Sequence, residues 1–146
     1  MNLKAGDQLP DFRYVDREGN QKVSSQLRGE IVLIDFWATW CSPCVGLLPE
    51  MEKLHKKFEE KDGFSLLGLN LDNDLDVAKA FLSKRKLSWE QGFFANSKAA
   101  LSSLRISGVP HYCLVNADGT ILEWGSDLAV LCFASAREKS NPHLVR

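Results

Sequence analysis

The chain has 146 residues, of which 45% are hydrophobic and 25% charged, and its formal net charge is −1. That length fits one domain, 1–146, and the apolar share supplies a sizeable core without disulfide or metal staples. The near-neutral balance, with no basic block, argues against nucleic acid as a main partner and against electrostatic membrane binding, and no apolar run is long enough to span a membrane.

Residues 1–29 read as a lead-in. Met1-Asn2-Leu3-Lys4 runs straight into polar, domain-like sequence with no visible signal peptide. This leaves a cytosolic protein, or an exported one whose signal is not in the sequence. Four cysteines in a chain of this length are not a disulfide framework and do not decide the compartment. Leu9-Pro10-Asp11-Phe12 begins an extended piece. Phe12, Tyr14 and Val23 flank the turn cluster Asp16-Arg17-Glu18-Gly19-Asn20, so a hairpin is predicted over about 9–24. Ser24 or Ser25 then caps a short helical turn ending at Gly29.

Ile31 to Ile34 form an apolar run suited to a buried strand, into which Asp35 is set. Trp40-Cys41-Ser42-Pro43-Cys44 follows, and beyond it the pattern turns helical. Leu47, Leu48, Met51, Leu54 and Phe58 share one face, with charges opposite. Two cysteines therefore stand where a buried strand hands over to a helix. The first helical turn offers free backbone N–H groups and a positive dipole end, which favour a thiolate at Cys41. Cys44, one turn further in, is close enough to bridge Cys41 and is more covered. Cys41 is thus the attacking sulfur and Cys44 the resolving one. Pro43 fits a first turn, whose N–H would go unpaired anyway. Pro49 is predicted to kink the helix, and Asp62-Gly63 to end it.

Asp35-Phe36-Trp37-Ala38-Thr39-Trp40-Cys41-Ser42-Pro43-Cys44 resembles the thioredoxin-superfamily motif D-F-W-A-x-W-C-x-x-C. The longer context is similar to the TlpA-like thiol–disulfide oxidoreductases of bacterial envelopes, ResA-type proteins of cytochrome c maturation among them. A C-x-x-C by itself is shared with zinc sites; the flanking tryptophans, the preceding strand and the apolar helix add the specificity. The resemblance implies an α/β, thioredoxin-like fold: a central mixed sheet flanked by helices, with an N-terminal hairpin and a central βα insert over about 74–106. It also implies a periplasmic or envelope location, no cofactor, a monomer, and protein thiols or disulfides as partners with an upstream redox donor.

Further along, Phe64 to Leu71 reads as a strand covered on both faces, making a βαβ unit with the first. Asp72-Asn73-Asp74 caps a helix from about Leu75 to Lys86, with Val77, Ala78, Phe81 and Leu82 inward. Residues 87–95, with Trp89, Phe93 and Phe94, form a short strand. Ser97 starts a helix through Leu101 and Leu104 that stops near Ser107-Gly108. Val109 to Val115 is the next strand, and Asn116-Ala117-Asp118-Gly119 turns it into Thr120 to Trp124. Asp127 caps a last helix, Leu128 to Lys139, packed by Leu128, Leu131 and Cys132, and 140–146 is a frayed tail.

Several residues carry two readings. Asp35 is a solvated strand-end acid, or a buried carboxylate of raised pKa that accepts the Cys44 proton. Thioredoxins carry an Asp at this motif position, so that role follows the resemblance. Many TlpA-like proteins use a Glu three residues after the second cysteine, where this chain has Leu47. A lysine that thioredoxins place on the following strand is replaced by Gly68. Trp37 reads as core and Trp40 as part of a docking surface. Gly108-Val109-Pro110 is an ordinary trans turn on its own residues. By resemblance it is the cis-proline loop, whose Val109 backbone pairs with an extended substrate and whose Pro110 cannot compete as a donor. His111 is a partly exposed strand-end residue, or a cation beside Cys41. Cys113 and Cys132 read as small buried hydrophobes, with a second disulfide between them the lesser alternative, and His55 and His143 as surface residues.

The main functional reading is a thiol–disulfide oxidoreductase working through Cys41 and Cys44, with Asp35, Trp40, Pro43, Val109 and Pro110 at its site and no metal. Superfamily potentials run from about −270 to −120 mV, and the buried acid leans the chain towards reductant. Two alternatives come from other classes. One is a metal-binding or metallochaperone module on Cys41, Cys44 and His111. The other is a thiol peroxidase of the peroxiredoxin kind, disfavoured because Thr39 stands only two residues before Cys41.

Overall fold

The computed structural model describes residues 2–94 and 98–127. In chain order they contain β1 (Arg13–Asp16), β2 (Gln21–Val23), a 3-10 turn (Ser24–Leu27), β3 (Ile31–Trp37), α1 (Ser42–Gly46), α2 (Leu48–Glu59), β4 (Phe64–Asn70), α3 (Leu75–Lys84), β5 (Glu90–Phe93), α4 (Lys98–Leu104), β6 (His111–Val115) and β7 (Ile121–Gly125). The helix start at Ser97, the helix Leu128 to Lys139 with Cys132, the tail and His143 lie outside the described residues.

β3 is buried along all seven residues, and the sheet is built outward from it. The strand order is β2-β1-β5-β4-β3-β6-β7. β3, β4 and β5 run parallel, while β6 and β7 on one side and β1 and β2 on the other pair antiparallel. The parallel strands need helical crossovers, and these place helices on the sheet faces. Alternation along β3 divides the core. Ile31, Leu33 and Trp37 face the layer of Leu48, Met51, Leu54 and Phe58 from α2 and Ala78 and Leu82 from α3. Val32, Ile34 and Phe36 face the layer containing Phe12, Phe94 and Leu104.

The hairpin forms with Arg13 opposite Val23. Gly19 takes the positive φ of 86° that its tight turn requires. Ser24 begins the 3-10 turn rather than capping it, and its hydroxyl accepts from the Phe12 N–H at 2.9 Å. Upstream, residues 6–9 run along the start of β7, through Gly6 N–H to Ile121 O and Leu9 N–H to Gly119 O, each 2.9 Å.

The bend anticipated at Pro49 is a break between two helices. Leu47 ends α1 and starts α2, and Pro49 stands in the first turn of α2, where its missing N–H costs no helical bond. In α3 the inward residues are Ala78 and Leu82, with Phe81 packed against them. Val77 is 48% exposed, contrary to the expectation, because it falls off the stripe set by Leu75, Ala78 and Leu82. His55 is half-buried rather than superficial. Its Nδ1 lies 2.9 Å from the Ser88 hydroxyl and its ring packs against Trp89.

Candidate active site

Cys41 is the N-cap of α1, and its Sγ accepts from the Cys44 N–H at 3.2 Å. The two sulfurs are joined in a disulfide, with Cα atoms 5.3 Å apart. α1 has only five residues, so what favours an anion on Cys41 is this nearby N–H more than a long dipole. Both cysteines are well covered, Cys41 at 4% exposure and Cys44 at 2%. The predicted difference in access between them is therefore small. Above them the surface is open: Trp40 is 67% exposed, and Ser42 and Pro43 are also exposed.

A buried carboxylate holds the chain leading into Cys41. Asp72, just past the end of β4, accepts from the Thr39 N–H at 3.0 Å and the Thr39 hydroxyl at 2.8 Å. Asn70 supports it, donating from Nδ2 at 2.7 Å and accepting the Asp72 N–H at 2.9 Å. The helix cap that Asp72 shared in the sequence reading belongs to Asp74, which accepts from the Asp76 N–H at 2.9 Å. Asp72 thus clamps Thr39, two residues before Cys41. Thr39, with its hydroxyl engaged there, is committed away from Cys41.

Asp35 stands in the middle of the sheet, between Gly68 on β4 and Tyr112 on β6. It is 2% exposed, and its Oδ1 has no hydrogen-bond partner. Burial without compensation disfavours the charged form and pushes its pKa up to about 7. Strand alternation puts it on the same sheet face as Trp37 and the layer containing Cys41 and Cys44. Tyr112 stands on that face too; burial first, and the charge of Asp35 second, push its hydroxyl above the usual tyrosine range.

The Val109–Pro110 peptide bond is cis. The following residue, His111, pairs with Phe36, which brings this loop beside the end of β3 that leads to the cysteines. Val109 is half-buried and packs against the core layer containing Cys41. His111 itself turns to the other face. Its ring lies 5.9 Å from Phe36 and 4.3 Å from Trp124, and burial pushes its pKa down, towards the neutral form. The cation beside Cys41 is therefore not present, and a ligand set of Cys41, Cys44 and His111 does not assemble. Cys113, two residues from His111 on β6 and on the same face, is a free buried thiol whose pKa burial raises well above the usual range.

Two groups of the site were not singled out from sequence. One is the Asp72–Asn70 clamp. The other is Gln91, buried at 1%, whose Oε1 accepts from the Trp37 indole at 3.0 Å. The signal for Gln91 was an uncharged amide two residues from Trp89 and from Phe93 in a short strand. For Asp72 and Asn70 it was two polar residues alternating with Leu69 and Leu71 where an apolar strand ends.

A family model described as Redoxin matches residues 4–126. The thiol-disulfide oxidoreductase ResA of Bacillus cereus (strain ZK / E33L) is 28% identical over 121 residues, covering 83% of this chain and 69% of that protein. A thiol:disulfide interchange protein from Bacteroides sp. is 31% identical, with a TM-score of 0.79 over 98% of this chain and 99% of that one. The thioredoxin domain of a thiol-disulfide oxidoreductase from Bacteroides vulgatus is 29% identical, with a TM-score of 0.78 over 91% and 99%. The fold is thioredoxin-like. Because the matched residues take in β3 with its acid, both bonded cysteines and the cis-proline loop, the chain belongs to the Redoxin family.

Proposed function

We propose that this protein is a thiol–disulfide oxidoreductase that reduces disulfides of partner proteins through Cys41 and Cys44. The observation that carries the reading is the Cys41–Cys44 disulfide at the start of α1, with Cys41 capping the helix. In the reduced protein the Cys41 thiolate, favoured by the Cys44 N–H, attacks one sulfur of a partner disulfide. The other partner sulfur leaves as a thiolate. Cys44 then gives its proton to the Asp35 carboxylate and attacks the Cys41 sulfur of the mixed disulfide, releasing the second partner thiol. The partner gains two electrons, the Cys41–Cys44 pair loses two, and an upstream dithiol restores it.

A carboxyl that titrates near neutrality suits this role, since it accepts a proton and gives it up again at ordinary pH. The exposed Trp40, Ser42 and Pro43, with the Val109–Pro110 loop, form the surface on which an extended partner chain docks. The test is insulin reduction with dithiothreitol as donor. Cys41→Ser abolishes the protein-dependent rate, and Cys44→Ser accumulates mixed disulfides visible on non-reducing gels. Full activity in Cys41→Ser refutes the assignment.

A further inference from the structure

Asp35 is flanked on β4 by Gly68, and the space above this glycine is already filled. A Cβ built on Gly68 meets the Gln91 side chain, with Oε1 at 2.5 Å and Nε2 at 2.7 Å. Gln91 is the register partner of Gly68 across β4 and β5, so its amide folds back over β4 towards β3. Its orientation is settled by chemistry. The Trp37 indole only donates, so the atom 3.0 Å from it is the amide oxygen, which leaves Nε2 as a free donor. Nε2 is buried and has no partner, like Asp35 Oδ1 on the other side of the glycine. Neighbouring strands are ~4.8 Å apart, so the amide lying over Gly68 is about one strand spacing from Asp35. Buried orphan donors and acceptors are rare, and here one of each belongs to the two residues that flank Gly68 on either side.

We propose that Gln91 is the positioning residue of the acid: its Nε2–H, held over Gly68 by the Trp37 bond, donates through one bridging water to the Asp35 carboxylate. It thereby steadies the charged form that receives the Cys44 proton. Among the described residues, the titratable side chains on this face are Tyr112 from β6, Asp72 just past β4, which is bonded to Thr39 and Asn70, and the half-buried Glu123 opposite Leu114 on β7; the Cys41–Cys44 pair joins them only when reduced. The others are apolar or uncharged: Leu66, Gly68 and Asn70 from β4, Leu48 and Met51 from α2, and Ala78 and Leu82 from α3. None of the buried side chains among the described residues is a cation. The proposal rests on the reading of Asp35 as proton acceptor, but its test does not depend on turnover.

The test follows the Asp35 carboxyl carbon by NMR across pH in the oxidised protein. Two variants are compared with the parent. Gln91→Met keeps the volume and removes the donor; Gln91→Leu removes it with a shorter, uncharged side chain. Losing a hydrogen bond to the charged form raises the Asp35 midpoint by about half a unit or more in both variants. The pH profile of Cys44-dependent release of a preformed mixed disulfide moves upward with it. A midpoint within about 0.2 units of the parent in whichever variant retains the native near-ultraviolet spectrum overturns the proposal, because it reduces Gln91 to a buttress for Trp37. Failure of the oxidoreductase reading shows separately, as Cys41→Ser activity with the midpoint shift intact.

Discussion

Replacing Asp35 with asparagine should make the protein more stable at neutral pH while slowing it. In the folded state the carboxyl titrates at about 7 because burial disfavours its charge; the ordinary value is 3.8. The folded protein therefore keeps this proton over an interval in which the unfolded chain has released it. There the unfolded state binds fewer protons, and stability falls as pH rises. Below about pH 4 both states are protonated and the cost is absent; above about pH 7 it is present in full. A shift of about three units corresponds to roughly 4 kcal/mol, an upper bound that local relaxation and water entry reduce. Asparagine has the same shape and no charge, so this pH-dependent cost disappears. Its own amide carries a fixed desolvation cost of about 1–3 kcal/mol, which does not change with pH. The discriminating quantity is therefore a slope. Urea unfolding of the oxidised protein between about pH 4 and 8 should show the parent losing up to about 1.4 kcal/mol per pH unit relative to Asp35→Asn. Parallel curves for the two proteins would refute the argument, since they would mean that Asp35 is solvated in solution. The same variant should slow release of a mixed disulfide at pH 7 about 100-fold, within the usual range for a lost general base.

Three further outcomes follow from the same geometry. Asp72→Ala removes both bonds to Thr39 and leaves Asn70 Nδ2 unpaired, so it should cost about 2–4 kcal/mol in urea unfolding and lower the rate of Cys41 alkylation in the reduced protein. Gly68→Ala drives a methyl into the Gln91 amide and should destabilise by about 1–3 kcal/mol, with a shift in Trp37 fluorescence as its indole bond breaks. His111→Phe should leave the pH dependence of Cys41 alkylation unchanged, because His111 packs against Phe36 and Trp124 on the far face of the sheet. A midpoint raised by removing the imidazole would contradict that placement.

The elements around the cysteines were readable because their signals are local. The apolar run of β3, the stripe on α2 and the turn cluster at Asp16–Asn20 each lie within about a dozen residues, and each formed close to its expected bounds. The site's polar support was not readable, because its pairings join distant residues. Thr39 meets Asp72 across 33 positions, and Trp37 meets Gln91 across 54. Asp72 also sits in a run of polar residues ahead of a helix, where capping is the cheaper guess. The placement of β5 between β1 and β4 is likewise a tertiary choice, and it is what carries Gln91 to Gly68. His111 was undecided for a simpler reason. Strand alternation assigns its face only once the register with β3 is known, and one step of slip would have pointed it at Cys41.

Residues 6–9 bear on how this fold treats strangers. By hydrogen-bonding to Gly119 and Ile121, this stretch closes the first part of a border where an unrelated polypeptide might otherwise add itself as another strand. If a partner chain docks as proposed above, a border filled by the protein's own backbone leaves the loop before β6, with its cis Val109–Pro110 bond, as the place where it would pair.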